Sequence, residues 1–344
     1  MTDYTPLVDP ELRDAAWLMR EMTQQNTPMT RDKLADRRAW MQANAVAPRD
    51  DVPFVERSIP RPAACGEGPD VSVYVVLPKP GQLGPGILHM HGGGFTASTA
   101  RNSLPSVQVL ARTLNCPIVT VDYRLAPETT WSGSLEDNYT ALLWMHAHAE
   151  ELGVDPRRIA IAGESAGGGH AVLLAIAARD RGEVPISFQC LTYPMLDDRS
   201  GTSRALAEHI GYFGWNPEAN RFGWESFLGC APGDDAVPFS GVPARCEDLG
   251  GLPPAWIGVG GLDLFVEEDI AFAQRLNAAA VPTELLVVPG AFHGFDAFVP
   301  DAAISRRFAA ARLDALCRGV GLDASLPLTG EAYPAVDLEA AASA

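Results

Sequence analysis

Ile159-Ala-Ile-Ala-Gly-Glu-Ser165-Ala-Gly-Gly-Gly-His170 is the segment from which the rest of the chain can be read. Four apolar residues of strand character run into Gly163-Glu164-Ser165-Ala166-Gly167, and an apolar helical pattern follows. A serine projecting from a tight strand-to-helix turn needs little side-chain bulk around it. Glycines two residues before and two after supply that space. The first amides of the following helix point at the same spot and favour negative charge there. As bare text the five-residue pattern has low specificity; its place between strand and helix singles out Ser165 as a candidate nucleophile. A glycine-rich turn around a phosphate is the competing reading. A dinucleotide site fails because the Gly-x-Gly-x-x-Gly spacing and the later acidic partner are missing.

Reading outward, short apolar β-runs alternate with helical patterns. Strands are predicted at 55–59, 71–77, 86–90, 118–123, 158–162, 187–193, 255–259 and 284–288, and helices near 103–114, 134–152, 166–181, 266–280 and 302–317. The first two strands alternate with polar residues, as an outer antiparallel pair does. Later ones, such as Ile118-Val-Thr-Val121, are nearly continuous apolar runs, the mark of strands covered on both faces. Strand alternating with helix implies an α/β fold built on a mostly parallel sheet with helices on both sides.

Two amphipathic helical patterns come before the first strand. Asp9-Pro10 reads as an N-cap and a first-turn proline ahead of Leu12, Ala16 and Met19, and a second helix is expected from about 30 to 44. Residues 196–250 break the rhythm: no clear strand is present, yet Trp215, Phe222, Trp224 and Phe227 gather there. A stretch that long with its own aromatic residues is not expected to be a bare loop. The expected division is therefore 1–50 as N-terminal helices of a cap, 51–195 and 251–325 as the catalytic domain, 196–250 as a cap insertion, and 326–344 as a loosely ordered tail.

A second signal lies upstream at His91-Gly-Gly-Gly-Phe95, directly after a predicted strand. Consecutive glycines let the backbone approach a ligand closely and turn its N–H groups inward. An acyl-transfer enzyme needs such donors to hold the negative oxygen of its tetrahedral intermediate. A nucleophilic serine also needs a base and an acid to orient that base. Among the seven histidines, His293 is the candidate base, because Pro289-Gly-Ala-Phe-His-Gly-Phe295 is a loop at a strand end. His91 is expected to brace the glycine loop. His146, His148, His170 and His209 are read as packed or solvated imidazoles.

The chain order serine, acid, histidine places the acid between Ser165 and His293. Asp263 leads this search from the loop after the 255–259 strand, with Asp197 and Asp198 as second choice. Glu267, Glu268 and Asp269 are expected to favour the positive end of the helix they enter. Tyr123 and Arg124 are expected to fix their loop, Arg124 by bonding buried carbonyls or pairing with Glu128. Phe95, Met195, Phe213 and Phe295 are the candidate substrate-pocket residues, although the aromatic residues could equally form a packed core inside the cap.

Taken together, the chain resembles the bacterial hormone-sensitive lipase-like carboxylesterases of the α/β-hydrolase fold. The resemblance rests on His91-Gly-Gly-Gly-Phe95, Asp122-Tyr-Arg-Leu-Ala-Pro-Glu128, Gly163-Glu-Ser-Ala-Gly-Gly168, the Asp263 segment and His293-Gly-Phe295, in family order. It implies an eight-stranded, mostly parallel sheet with a helical cap. It further implies hydrolysis of short- to medium-chain carboxylic esters with no metal or organic cofactor. The roles it implies are nucleophile for Ser165, base for His293, acid for Asp263, and oxyanion amides for Gly92, Gly93 and Ala166.

Two positions depart from the family pattern. Glu164 stands where many members have Asp or Thr, and Asp263-Leu-Phe265 replaces the usual Asp-Pro-Leu. An arylformamidase- or arylacetamide deacetylase-type amide hydrolase shares the same triad. A ligand-binding homologue such as the plant gibberellin receptor lacks the histidine that is present here.

Composition narrows the partners. The 344 residues carry 26 Lys and Arg against 43 Asp and Glu, a formal charge of −17, which argues against nucleic acid or an anionic membrane as main partner. With 47% hydrophobic residues the chain can bury a sizeable core. The six cysteines form no close-spaced pair, so thiols are expected rather than a disulfide framework or a zinc site. The first residues show neither a basic stretch nor an apolar run. The expectation is a soluble cytoplasmic protein, monomeric or homodimeric, acting on a small-molecule ester.

Overall fold

The computed structural model describes residues 2–25, 29–77 and 83–322; the tail expected at 326–344 lies outside them. Two helices lead, α1 (Arg13–Gln25) and α2 (Leu34–Ala43), followed by β1 (Phe54–Ile59), β2 (Val71–Val76) and β3 (Gly84–Met90). Next come α3 (Ala100–Leu114), β4 (Ile118–Asp122), α4 (Trp131–Ala147), α5 (Ala149–Leu152), β5 (Val154–Glu164), α6 (Ala166–Arg181) and β6 (Phe188–Thr192). The chain continues through α7 (Pro217–Leu228), β7 (Ala255–Gly260), α8 (Val266–Ala278), β8 (Thr283–Val288), α9 (Phe295–Phe298) and α10 (Ala303–Gly319).

The eight strands form one sheet in the order β1-β2-β4-β3-β5-β6-β7-β8. β2 runs antiparallel to both β1 and β4, and every other pairing is parallel. Neighbouring residues of one strand face opposite sides, and the core divides accordingly. Ile87, Ile118, Ala160 and Trp256 pack with Leu12, in the turn just before α1, Leu104 of α3 and Phe308 of α10. Leu88, Val119, Ile161 and Ile257 pack with Leu142 of α4, Leu174 of α6 and Phe272 of α8. Coverage on both faces is why these strands read as continuous apolar runs. β1, at the edge, is largely exposed and carries Glu56 and Arg57, charges that blunt a free edge.

Chain order and sheet order part company at β3. From β3 the chain moves to β4 on one side and returns to β5 on the other. This is a switch point, where the loops leaving two strands diverge and open a crevice at their carboxyl ends. The glycine run leaves β3 there, and Ser165 leaves β5.

Three details differ from the sequence expectation. The helix expected at 134–152 is two, α4 and α5, separated at His148, whose ring bonds back to the Trp144 carbonyl at 2.9 Å. β5 begins at Val154, four residues before the predicted start. The charges Glu267, Glu268 and Asp269 do not share one helix-end role. Glu267 is exposed, whereas Glu268 and Asp269 are buried, and Glu268 accepts from the amides of Leu196 (2.7 Å) and Asp197 (3.1 Å).

Candidate active site

β5 delivers Ser165 on a turn whose backbone angles are φ 57° and ψ −122°, a conformation rare for a residue with a side chain. The surroundings hold it there. Its amide donates to the Thr192 carbonyl at 2.9 Å, and its carbonyl accepts from Met195 at 3.0 Å and Gly169 at 3.2 Å. The hydroxyl lies 2.9 Å from Nε2 of His293, whose Nδ1 lies 2.8 Å from Oδ2 of Asp263. The other carboxylate oxygen accepts from the Phe265 amide at 3.0 Å. Asp263 is fully buried and Ser165 is 8% exposed.

Two backbone bonds align the acid with the base: the Gly261 amide donates to the Val288 carbonyl (2.7 Å) and the Leu262 amide to the Ala291 carbonyl (2.9 Å). The loops after β7 and β8 are thereby stitched together. Such a linked Asp–His–Ser chain can draw a proton from the hydroxyl while the buried carboxylate orients the imidazole.

The glycine run abuts this chain. A Cβ added to Gly92 would lie 3.4 Å from the Ser165 Cβ. Gly93 has φ +127°, and a Cβ there would meet the Ala97 carbonyl oxygen at 2.0 Å, so the turn admits glycine alone. Ala166 opens α6, where the first amides have no partner inside the helix. Gly92 and Ala166 therefore flank Ser165, with Gly93 next along the glycine run.

His91 braces the run as expected. Its Nδ1–H donates to the Gly92 carbonyl at 2.8 Å, its own carbonyl accepts from the Tyr123 hydroxyl at 2.5 Å, and the two rings stack at 4.2 Å. Burial pulls the His91 pKa down to about 4 and that of His170 to about 3, so both are neutral near pH 7.

Several expectations are settled one way or the other. Arg124 bonds a carbonyl as expected, that of Gly133, but its ion pair is with Asp137 (2.9 Å), while Glu128 is held by Arg38 of α2. Asp197 and Asp198 bond Arg199 and Arg245, which leaves Asp263 as the carboxylate bonded to His293. Phe95, Met195, Phe213 and Phe295 are 0–1% exposed and present no face to an open cavity. Phe95 stacks on Phe227 of α7 at 3.8 Å and joins Met195, Leu173 and Trp224 in a closed cluster. A cavity of about 540 Å³ does open between α1 and the 201–217 segment, lined by Arg20, Thr23, Leu206 and Tyr212, but it excludes Ser165, Asp263 and His293.

The sequence reading missed the aromatic walls of the imidazole. Tyr193, Phe265 and Trp215 lie 4.7, 5.1 and 6.5 Å from the His293 ring. Phe265 sits in the very tripeptide that departs from the family pattern, the one signal that pointed to it. Also missed was a buried polar layer under the turn. Burial raises the pKa of Glu164, but His89 Nε2 at 2.9 Å, with help from Arg312, brings it below its ordinary value. Asp296, raised by burial, accepts from the Tyr193 hydroxyl at 3.0 Å. Among the described residues no cluster of three or more His, Cys, Asp or Glu side chains is arranged to hold a metal ion.

Residues 87–297 match the family described as the alpha/beta hydrolase fold. The chain belongs to the α/β hydrolase fold family. This hydrolase is 36% identical over 231 residues to carboxylesterase NlhH of Mycobacterium tuberculosis, a match covering 64% of this chain and 70% of that protein. A shorter match, 39% identical over 124 residues, links it to human hormone-sensitive lipase, spanning 35% of this chain and 11% of that one. The expected kinship with hormone-sensitive lipase is borne out. Among solved structures, a bacterial heroin esterase superposes with a TM-score of 0.81 at 38% identity, covering 92% of this chain and 99% of the other. No helix among the described residues is long and apolar enough to cross a membrane.

Proposed function

We propose that this α/β hydrolase is a serine carboxylesterase that cleaves short- to medium-chain esters through an acyl-enzyme. That it is a carboxylic ester hydrolase follows from its carboxylesterase and esterase relatives. The finer reading is carried by one observation, the unbroken chain Asp263–His293–Ser165 with bonds of 2.8 and 2.9 Å.

His293 accepts the Ser165 proton as the hydroxyl oxygen bonds to the ester carbonyl carbon, and Asp263 holds the imidazole in the required tautomer. The carbonyl π electrons move to oxygen, which is received by the amides of Gly92, Gly93 and Ala166, each worth about 3–4 kcal/mol in comparable sites. Collapse breaks the bond to the alcohol, which takes the proton from His293. Water then repeats the sequence, its proton passing to His293 and back to Ser165 as the acid departs. The helices α1 and α2 and the 196–250 segment serve as the cap. The closed packing of Phe95, Met195, Trp224 and Phe227 supports a short acyl site over a long open trough.

The test is Ser165→Ala. It is expected to fold like the wild type and to lose turnover of p-nitrophenyl esters by on the order of 10⁵-fold or more. An alkyl phosphonate should label Ser165 stoichiometrically. Retained turnover in the variant overturns Ser165 as the nucleophile, and absent labelling of the wild type overturns the acyl-enzyme reading.

A further inference from the structure

Two adjacent arginines on α2 are treated in opposite ways. Arg38 is neutralised: its guanidinium makes two 2.8 Å bonds to Glu128 and donates to the carbonyls of Thr96 and Ala126. Arg37 is half-buried, and among the described residues it makes no ion pair with a carboxylate. Among the described residues its guanidinium meets the Met29 sulfur at 3.6 Å and lies 5.6 Å from the centre of the Trp215 ring. In a chain with 43 acidic and 26 basic residues, counter-charges are plentiful. Withholding one from a partly desolvated cation is costly. Burial lowers the pKa of Arg37 to about 10, so the group stays charged at neutral pH.

The indole beneath that guanidinium belongs to the site. Trp215 covers the glycine run so closely that a Cβ on Gly94 would come within 2.3 Å of its ring, and it approaches the His293 imidazole to 6.5 Å. Arg37 therefore stands one aromatic ring away from the reacting groups. The rim is held in place by α1, whose Thr23 hydroxyl donates to the Gly214 carbonyl at 3.0 Å and whose Arg20 donates to the Tyr212 carbonyl at 3.3 Å.

We propose that Arg37 is a specificity residue for acidic esters, pairing with an ionised carboxylate that the substrate carries beyond its scissile bond. The inference rests on the carboxylesterase reading above. A guanidinium presents a planar fork matched to a carboxylate, and its weak hydration suits a half-buried rim next to an indole. The site needs such a residue to accept an anion, because the charge of −17 otherwise repels one.

The test uses the full-length protein and two matched substrate pairs. Para-acetoxybenzoate against para-acetoxybenzamide places the charge on the leaving group, and monoethyl glutarate against ethyl valerate places it on the acyl group. For one pair the wild type is expected to favour the charged member in kcat/KM, with the advantage shrinking as salt is added. In Arg37→Met the ratio of charged to neutral kcat/KM is expected to fall roughly ten- to hundred-fold, and Arg37→Lys should keep part of it. An unchanged ratio in a folded Arg37→Met, or a wild type that prefers the neutral member of both pairs, overturns the proposal. If Arg37→Met does not fold, the salt dependence and Arg37→Lys decide by the same ratio. If the wild type hydrolyses none of the four esters but turns over p-nitrophenyl esters, this proposal alone is overturned; if it turns over neither, the serine carboxylesterase reading falls, and this proposal with it.

Discussion

At the scale of single residues, the site depends on backbone positions as much as on side chains. Gly93 shows this most sharply. Its φ of +127° and the Ala97 oxygen 2.0 Å from any added Cβ mean that Gly93→Ala must displace the turn that carries its amide, one of the proposed oxyanion donors. The expected outcome is a fall in kcat of about 10²-fold with little change in KM, read from steady-state kinetics on a p-nitrophenyl ester. Ser165, His293 and the glycine run were legible in the sequence because their neighbours are chemically diagnostic. Tyr193 and Trp215 were not, since an aromatic residue reads the same whether it walls an imidazole or fills a core. The same ambiguity misplaced Phe95, a loop residue that stacks on Phe227 of α7 and is sealed from solvent.

Among the elements, α2 fastens the N-terminal region to the catalytic loops. Arg38 reaches from α2 to the carbonyls of Thr96 and Ala126, just beyond the glycine run and the Tyr123 loop, and to Glu128. Arg38→Met removes those donors while leaving the sheet untouched. The N-terminal region is expected to open locally and to be cut by a protease roughly ten-fold faster, with the melting temperature of the sheet domain moving little. Cutting confined to the wild-type rate would show that α2 is held by other contacts. The pairing of Glu128 with Arg38, rather than with Arg124, spans 90 positions of chain, a distance at which charge pattern carries no information. Helices and strands themselves were readable because each repeats a short period of apolar residues. Their breaks, as at His148, depend on local bonds that periodicity does not report.

For the whole molecule, stability against pH reflects carboxylic acids that folding buries. Asp269 lies fully buried near Glu268 and Asp263, and neither of its oxygens finds a partner among the described residues. Burial first, then those neighbouring carboxylates, raises its pKa well above the ordinary value. The folded protein therefore keeps this proton over a pH range in which the unfolded chain has lost it. Its contribution is fully present below the ordinary carboxylate range and is lost as pH rises through the raised value. Asp269→Asn is expected to lift the urea midpoint more at about pH 8 than at about pH 5; an equal or reversed gain would refute the assignment. By itself the sequence determined the α/β class and the parallel core, and it singled out Ser165, His293 and the glycine run as candidate site residues, because these depend on short-range period and on motifs within a few residues. Only the tertiary structure decided which aromatics surround the His293 ring and which arginine on α2 is held by Glu128. Those outcomes depend on contacts between segments tens to hundreds of residues apart, where packing and desolvation, not neighbouring residues, choose the partner.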